Sequence, residues 1–381
     1  MASLRVISAD SHVLEPANLW MERVDKRLRE KAPRVEPVNG VPSLIAPGSG
    51  IQPFALTGFS AAGRSGEELS KFMGSGYEAA RAGGWDPVER LKDQEIDGLE
   101  AEVVYSSLGM PLFGLDDAEV QQACFRAYND WVAEFCSHSP SRLVGIALIG
   151  LDDVAEGVKE LERCKKIGLR GALIAGLPPE NQPYSSRVYD PFWQAAGELG
   201  MPISLHVVTG ARRKHLLTPT AQRIARHEGD APGIGFIALY MFLTTDVQES
   251  LFEILLSGVP QRFPKLKIVS AENDTGWVPH FMYRMDHAYN KLHHRANLHL
   301  EMTPGDFMRR QVFATFQDDP IGPMTWKYFG ADNYMWASDF PHPDSTFPDS
   351  HKVIEKDFEG VPAEVKQKMV FENVRRLYGI I

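Results

Sequence analysis

The sequence predicts an α/β chain closed into a (β/α)8 barrel, with a long insertion after its first strand. Three observations lead there. Eight short apolar runs alternate with helix-patterned stretches along the 381 residues. Four of those runs end in aspartate, histidine or glutamate, the residue types that barrel enzymes carry on the loops after their strands. No glycine-rich turn follows the first run, which weakens the alternative of an open, doubly wound sheet with a phosphate-binding loop.

Leu4, Val6 and Ile7 are apolar and partly β-branched, so they read as a short buried strand that ends in Asp10-Ser11-His12. Helical spacing follows over 15–29, through Leu19, Trp20, Val24 and Leu28. From about 33 to 84, Pro, Gly and Ser break the periodicity. This insertion is too long for a simple connector and is expected to form a lid or a subunit contact. Asp86-Pro87 opens the next helix, with aspartate as N-cap and proline at the first helical position. The later strands are expected at 101–106, 143–149, 171–175, 202–208, 266–271, 311–316 and 334–338. Helices are expected between them over 118–137, 154–167, 191–199 and 236–256, with a terminal helix over 363–378. The whole chain, 1–381, reads as one barrel domain.

A composition of 44% hydrophobic and 24% charged residues is ordinary for a globular enzyme. The net charge is -10 and no dense lysine or arginine run occurs, which argues against nucleic acid as a partner. Arg212-Arg213-Lys214 reads as a solvated loop, or else as a contact for an anionic substrate. Cys124, Cys136 and Cys164 form no Cys-x-x-Cys pair, so reduced thiols and a cytoplasmic setting are expected. No charged leader with an apolar core opens the sequence, and no apolar run approaches the length of a membrane span.

Alternation in an extended backbone sends residues i and i+2 to the same side. Asp10 and His12 can therefore aim at one point, although Asp-x-His alone is equally compatible with a turn. The fifth strand ends in His206, which by itself reads as a core histidine. The sixth ends in Glu272 and the eighth in Asp339. In a barrel all five would face one mouth. Three carboxylates and two imidazoles would repel one another or take up protons there, and a divalent cation removes that penalty. His280, His287 and His342 could add ligands. Lys291-Leu292-His293-His294 with His299 reads as a solvated loop, or a pocket rim. Gln317-Asp318-Asp319 could reach the mouth as hydrogen-bond acceptors, and Trp20, Trp277 and Phe340 could wall it.

The chain resembles the amidohydrolase superfamily, in particular the branch of aminocarboxymuconate-semialdehyde and resorcylate decarboxylases. The resemblance rests on Asp10-x-His12, on Tyr189-Asp190-Pro191-Phe192-Trp193 with Met201-Pro202 and His206, and on Phe263-Pro264-Lys265-Leu266. It continues through Gly276-Trp277-x-Pro279 to Ser338-Asp339-Phe340-Pro341-His342. It implies metal binding by Asp10, His12, His206 and Asp339, with Asp339 also handling a proton. Those decarboxylases typically carry a histidine after the sixth strand, where this chain has Glu272. A glutamate there is better suited to hold metal than to donate a proton.

The expectation is a metal-dependent hydrolase or non-oxidative decarboxylase for a small organic or aromatic acid, with Asp339, His206 and Glu272 as catalytic residues. Zinc or manganese would be the ion. The alternatives are a dinuclear iron or iron/manganese oxygenase on the same barrel, and a non-catalytic metal-binding subunit. A homo-oligomer is expected.

Overall fold

The computed structural model describes residues 4–72, 74–215, 218–226 and 233–380. All eight expected strands are present. In chain order the strands are β1 (Ile7–His12), β2 (Arg34–Val38), β3 (Val41–Ile45), β4 (Phe54–Ala55), β5 (Ala101–Tyr105) and β6 (Leu143–Leu148). They continue as β7 (Gly171–Ile174), β8 (Ile203–His206), β9 (Ile268–Ala271), β10 (Val312–Phe316) and β11 (Tyr334–Trp336). Strands β1 and β5 to β11 form one sheet in that order, with every pairing between them parallel. Every residue of these eight strands is buried. A parallel strand covered on both faces favours apolar residues, which is why each one stood out as a mainly apolar run.

The sheet curls into a nearly closed barrel. Asp339 N–H donates to Asp10 O at 2.9 Å and His12 N–H to Phe340 O at 2.6 Å, joining the last strand's exit to the first strand. Ser338 N–H donates to Ser8 Oγ at 2.9 Å in the same seam. Between Ser8 and Ser11, β1 advances three residues while β5 advances two (Glu102 to Val104). The extra residue is a bulge, a device that re-aims side chains at barrel rims.

The insertion holds a small antiparallel sheet of β2, β3 and β4. Its hairpin turns at Asn39-Gly40, both at positive φ (51° and 82°), as a two-residue turn between antiparallel strands requires. Pro37 and Pro42 face each other across that hairpin and obscured its strand pattern in the sequence.

The helix Pro87–Asp97 begins as expected, with Asp86 accepting from Val88 N–H and Glu89 N–H. Two expectations change. The stretch 236–256 is two helices, Ile234–Phe242 and Thr245–Leu256. The second has an inward stripe of Val247, Leu251, Ile254 and Leu255, whereas the first carries no charged residue at all. Residues 291–294 are not a loop: they close the helix Val278–Ala296, whose buried Val278, Met282 and Met285 repeat at i, i+4 and i+7. Among the described residues, no helix is long and apolar enough to cross a membrane.

Candidate metal centre

Asp10 and His12 lie in the last turn of the β1 ladder, His206 is the last residue of β8, Glu272 directly follows β9, and Asp339 lies three residues past β11. The barrel brings all five together as two groups that share His12: His12, Glu272 and Asp339 with His342, and Asp10, His12 and His206. His12 Nε2 is 3.4 Å from Asp10 Oδ1, 3.3 Å from Glu272 Oε2 and 3.4 Å from Asp339 Oδ1. His206 Nε2 is 3.2 Å from Glu272 Oε2 and 3.7 Å from Asp10 Oδ1. Those five converging atoms, together with Asp339 Oδ2, are buried and have no hydrogen-bond partner. Buried polar atoms are rarely left unsatisfied, and here they point at a common centre. Three carboxylate oxygens and two imidazole nitrogens are a donor set suited to a divalent ion.

The backbone is bent to achieve this. Glu272 (φ 51°), Asp339 (φ 57°), Asp274 (φ 50°) and Val208 (φ 68°) are non-glycine residues in the left-handed region, and all four line the cavity above the cluster. Such conformations cost on the order of 1–3 kcal/mol each and concentrate at functional sites. For a β-branched residue like Val208 the departure is unusual.

Neighbours orient each donor. His12 Nδ1 lies 2.9 Å from Ser106 O and His206 Nδ1 lies 3.0 Å from Val207 O. A carbonyl only accepts, so each Nδ1 carries its hydrogen, and with an ion bound the neutral ring would turn a bare Nε2 toward the centre. Thr315 Oγ1 donates to Asp10 Oδ2 at 3.1 Å, leaving Oδ1 free, and accepts from Glu272 N–H at 2.8 Å. Arg90, fully buried, pairs with Glu102 at 2.6 Å and donates to His12 O at 2.7 Å, which anchors the exit of β1.

The protonation of the ion-free cluster shows how crowded its negative charge is. Burial, then Glu272 and Asp10, push Asp339 well above the usual carboxylate range. Burial opposes charge on Glu272, yet His206 and His12 outweigh it and hold that carboxyl well below the usual range. Burial likewise disfavours His206 as a cation, but Glu272 and Asp10 raise it to about 10. A bound cation would take the place of these protons.

His342 also joins the cluster. Its ring stacks on that of His12 with centroids 4.0 Å apart. Its Nε2 is 2.8 Å from Ser107 Oγ, while its Nδ1 lies 3.0 Å from Asp339 Oδ1 without hydrogen-bond geometry, so His342 stands with His12, Glu272 and Asp339 as a further candidate ligand. His280 is exposed on the helix Val278–Ala296, and neither it nor His287 joins a group of metal-competent side chains among the described residues. His293 and His294 lie in the last turn of that helix, where their charge would complement its dipole.

A cavity of about 130 Å³ opens over the cluster, walled by Phe59, Met110, Val208, Leu239, Tyr240 and Gln317. The expected aromatic walls are elsewhere. Trp20 is buried and donates to Cys124 O, Trp277 donates to Asn273 O, and Phe340 packs under the Arg90 guanidinium. Phe59 comes from the insertion, which therefore contributes to the mouth. Gln317 reaches the cavity, while Asp319 accepts from Thr275 and Gly276 N–H at 2.8 Å and ties down the loop after β9. The Arg212-Arg213-Lys214 patch is neither free in solvent nor turned to the cavity. Arg212 pairs with Asp152 at 3.0 Å, Lys214 with Asp116 at 2.9 Å, and Arg213 with Asp246.

The sequence offered no signal for Ser106, Ser107 or Thr315, since hydroxyl residues at strand ends are common. Arg90 carried one: a cation at a helix position whose inward neighbours, Asp93, Gln94 and Asp97, are also polar and buried.

The sequence and the fold resemble known proteins. The amidohydrolase family profile matches residues 76–380. Asp10 and His12 precede that match. Gamma-resorcylate decarboxylase from Polaromonas sp. is 27% identical over 270 residues, covering 66% of this chain and 75% of that protein. An amidohydrolase from Mycobacterium avium subsp. paratuberculosis superposes with a TM-score of 0.80 at 19% identity, covering all of both chains. A dihydroxybenzoic acid decarboxylase from Polaromonas sp., solved with manganese and the inhibitor 2-nitroresorcinol, gives 0.66 at 17% identity over 99% of this chain and 98% of its own. The oxygenase alternative finds no support among these relatives. With a profile match over most of its length and the same barrel, the chain belongs to the amidohydrolase family and is an enzyme of that superfamily.

Proposed function

We propose that the protein is a metal-dependent, non-oxidative decarboxylase of a small aromatic acid. The observation that carries this reading is the set of buried, unpartnered donor atoms of Asp10, His12, His206, Glu272 and Asp339 beneath a small cavity with one apolar wall and one acidic side. The named activity of the gamma-resorcylate decarboxylase relative supports the reaction class. Manganese in the dihydroxybenzoic acid decarboxylase supports that ion ahead of zinc or iron.

Asp10, His12, His206, Glu272 and Asp339 would hold the ion, which when bound supplies positive charge to orient and polarise a substrate carboxylate and its neighbouring oxygen. The chain does the rest. Phe59, Met110, Leu239 and Tyr240 would pack the ring and exclude water. Asp339, which borders both the ion site and the cavity, is the carboxyl best placed to take up a proton and pass it to the substrate. Asp339 delivers that proton to the ring carbon bearing the carboxylate. The bond to the carboxylate then breaks, its electron pair restores the ring, and carbon dioxide leaves. His342, between Asp339 Oδ1 and Ser107 Oγ, is positioned to return a proton to Asp339.

Enzyme loaded with Mn2+ should release carbon dioxide from a panel of hydroxybenzoates without consuming oxygen. Oxygen uptake, or hydrolysis of esters or amides with no carbon dioxide release, would overturn the proposal.

A further inference from the structure

A larger cleft, of about 520 Å³, lies at the opposite end of the barrel. Its lining residues immediately precede strands: Met201 and Pro202 before β8, Lys265 and Lys267 before β9, Arg309 and Arg310 before β10, Asp332 and Asn333 before β11. It therefore opens on the amino-terminal face, across the barrel from the candidate metal centre.

Five cations line this cleft (Lys265, Lys267, Arg309, Arg310 and Arg376), and Asp332 is the one acid among the lining residues. That excess occurs in a chain whose net charge is -10. The acids nearby do not balance it. Asp332 is shared by Lys368 at 2.9 Å and Arg376 at 3.7 Å. Arg309 and Arg310 pair with Asp306 and Glu301 at 3.0 and 3.2 Å, in half-exposed positions where ion pairs count for little. Among the described residues, neither Lys265 nor Lys267 has a carboxylate within ion-pair distance. Lys267 Nζ donates only to Arg310 O, at 2.9 Å. Burial, then Arg310 and Arg376, lower the pKa of Lys267, as expected for an ammonium facing like charges. Lys265 sits in the turn closed by Leu266 N–H on Phe263 O at 3.0 Å, Lys267 directly precedes β9, and both line the cleft.

Apart from Gly200 and Asn333, the rest of the wall is apolar: Ala196, Met201, Pro202, Phe313 and Leu377. An excess of cations beside an apolar wall, with Lys265 and Lys267 unpaired by any described carboxylate, matches a ligand with a multiply charged anionic head and a flat or apolar body. Arginine forks and lysine ammoniums together suit phosphate oxygens.

We propose that this cleft is a second binding site, for a small organic phosphate monoester whose dianionic head meets the lysines and arginines while its body lies on the apolar wall. The site is independent of the reaction at the other end of the barrel.

The test is calorimetric titration of the metal-loaded protein with adenosine 5′-monophosphate, inorganic phosphate and adenosine, in parallel with K265Q/K267Q and R376Q. Glutamine at 267 keeps a donor for Arg310 O. Saturable binding of the monophosphate is expected, at least about tenfold tighter than adenosine. A loss of about tenfold or more is expected in K265Q/K267Q and again in R376Q, which changes a different element. Both variants should keep wild-type turnover. Without ligand, K265Q/K267Q should melt no lower than the wild type, because like charges have been removed. No saturable binding by the wild type up to about 10 mM, or unchanged affinity in both variants, would overturn the proposal.

Discussion

The two ends of the barrel are built in opposite ways from the same strands. At the carboxyl ends, Asp10, Glu272 and Asp339 converge with two imidazoles, and the chain bends through left-handed conformations to aim them. At the amino ends, cations gather on strand entries with no such distortion around them. The acidic end is crowded enough that Asp339 is driven toward protonation, and the basic end enough that Lys267 is driven toward losing its proton. A net charge of -10 conceals both. Local charge of one sign, gathered beyond what the fold needs, is more informative about ligands than the total.

The largest expected effects lie at the strained end. Asp339→Asn should lower kcat by at least about 100-fold while leaving the circular dichroism spectrum unchanged, because a positioned proton donor contributes about 10²–10⁴-fold. Near wild-type turnover would remove Asp339 from the chemistry. Glu272→His restores the residue type that the resemblance implies at this position and takes away a negative charge. It is expected to weaken metal affinity by about tenfold or more, read by competition with a chelator. Unchanged affinity would show that the glutamate is not a ligand.

Arg90→Met tests whether the mouth depends on its anchor. It strands Glu102 in the core and releases His12 O, so a loss of about 3–5 kcal/mol in unfolding free energy is expected. A loss below about 1 kcal/mol would mean that Glu102 finds other partners. The smallest effect concerns Asp97, away from both ends, which accepts from Ser350 N–H at 3.0 Å and Ser350 Oγ at 2.6 Å. Burial raises its pKa from 3.8 to about 6. The folded state therefore binds this proton more tightly than the unfolded chain, a contribution present in full below pH 3.8 and lost as pH rises through about 6. Asp97→Asn should flatten that part of the stability profile, by up to about 3 kcal/mol. An unchanged slope between pH 4 and 7 would contradict the assignment.

The barrel was legible because each parallel strand, buried on both sides, had to be an apolar run, and because Asp10, His12, His206, Glu272 and Asp339 end four of those runs. The bulge in β1 shows why the reading was safe only in outline. Alternation alone brought Asp10 and His12 together, whereas the structure uses an added residue between Ser8 and Ser11 to do so. Less was legible where ordinary residues act through long-range contacts. Ser106, Ser107 and Thr315 gain their roles only when β5 and β10 arrive beside β1 and β9. Phe59 reaches the cavity from the insertion, whose Asn39-Gly40 hairpin was available as a turn signal but was obscured by flanking prolines. The helix Val278–Ala296 was not among the expected elements: five polar or charged residues crowd 290–295 and read as loop, although the inward stripe from Val278 to Met285 is regular.

The most direct test of the ion-binding centre is elemental analysis of the wild-type protein and His206→Ala, both purified without chelator, with K265Q/K267Q as a control from the other end. Close to one equivalent of divalent metal is expected in the wild type and the control, and almost none in His206→Ala at unchanged helix content. Equal metal in all three proteins, or none in the wild type after reloading with Mn2+, would contradict a shared cation at the mouth of this barrel.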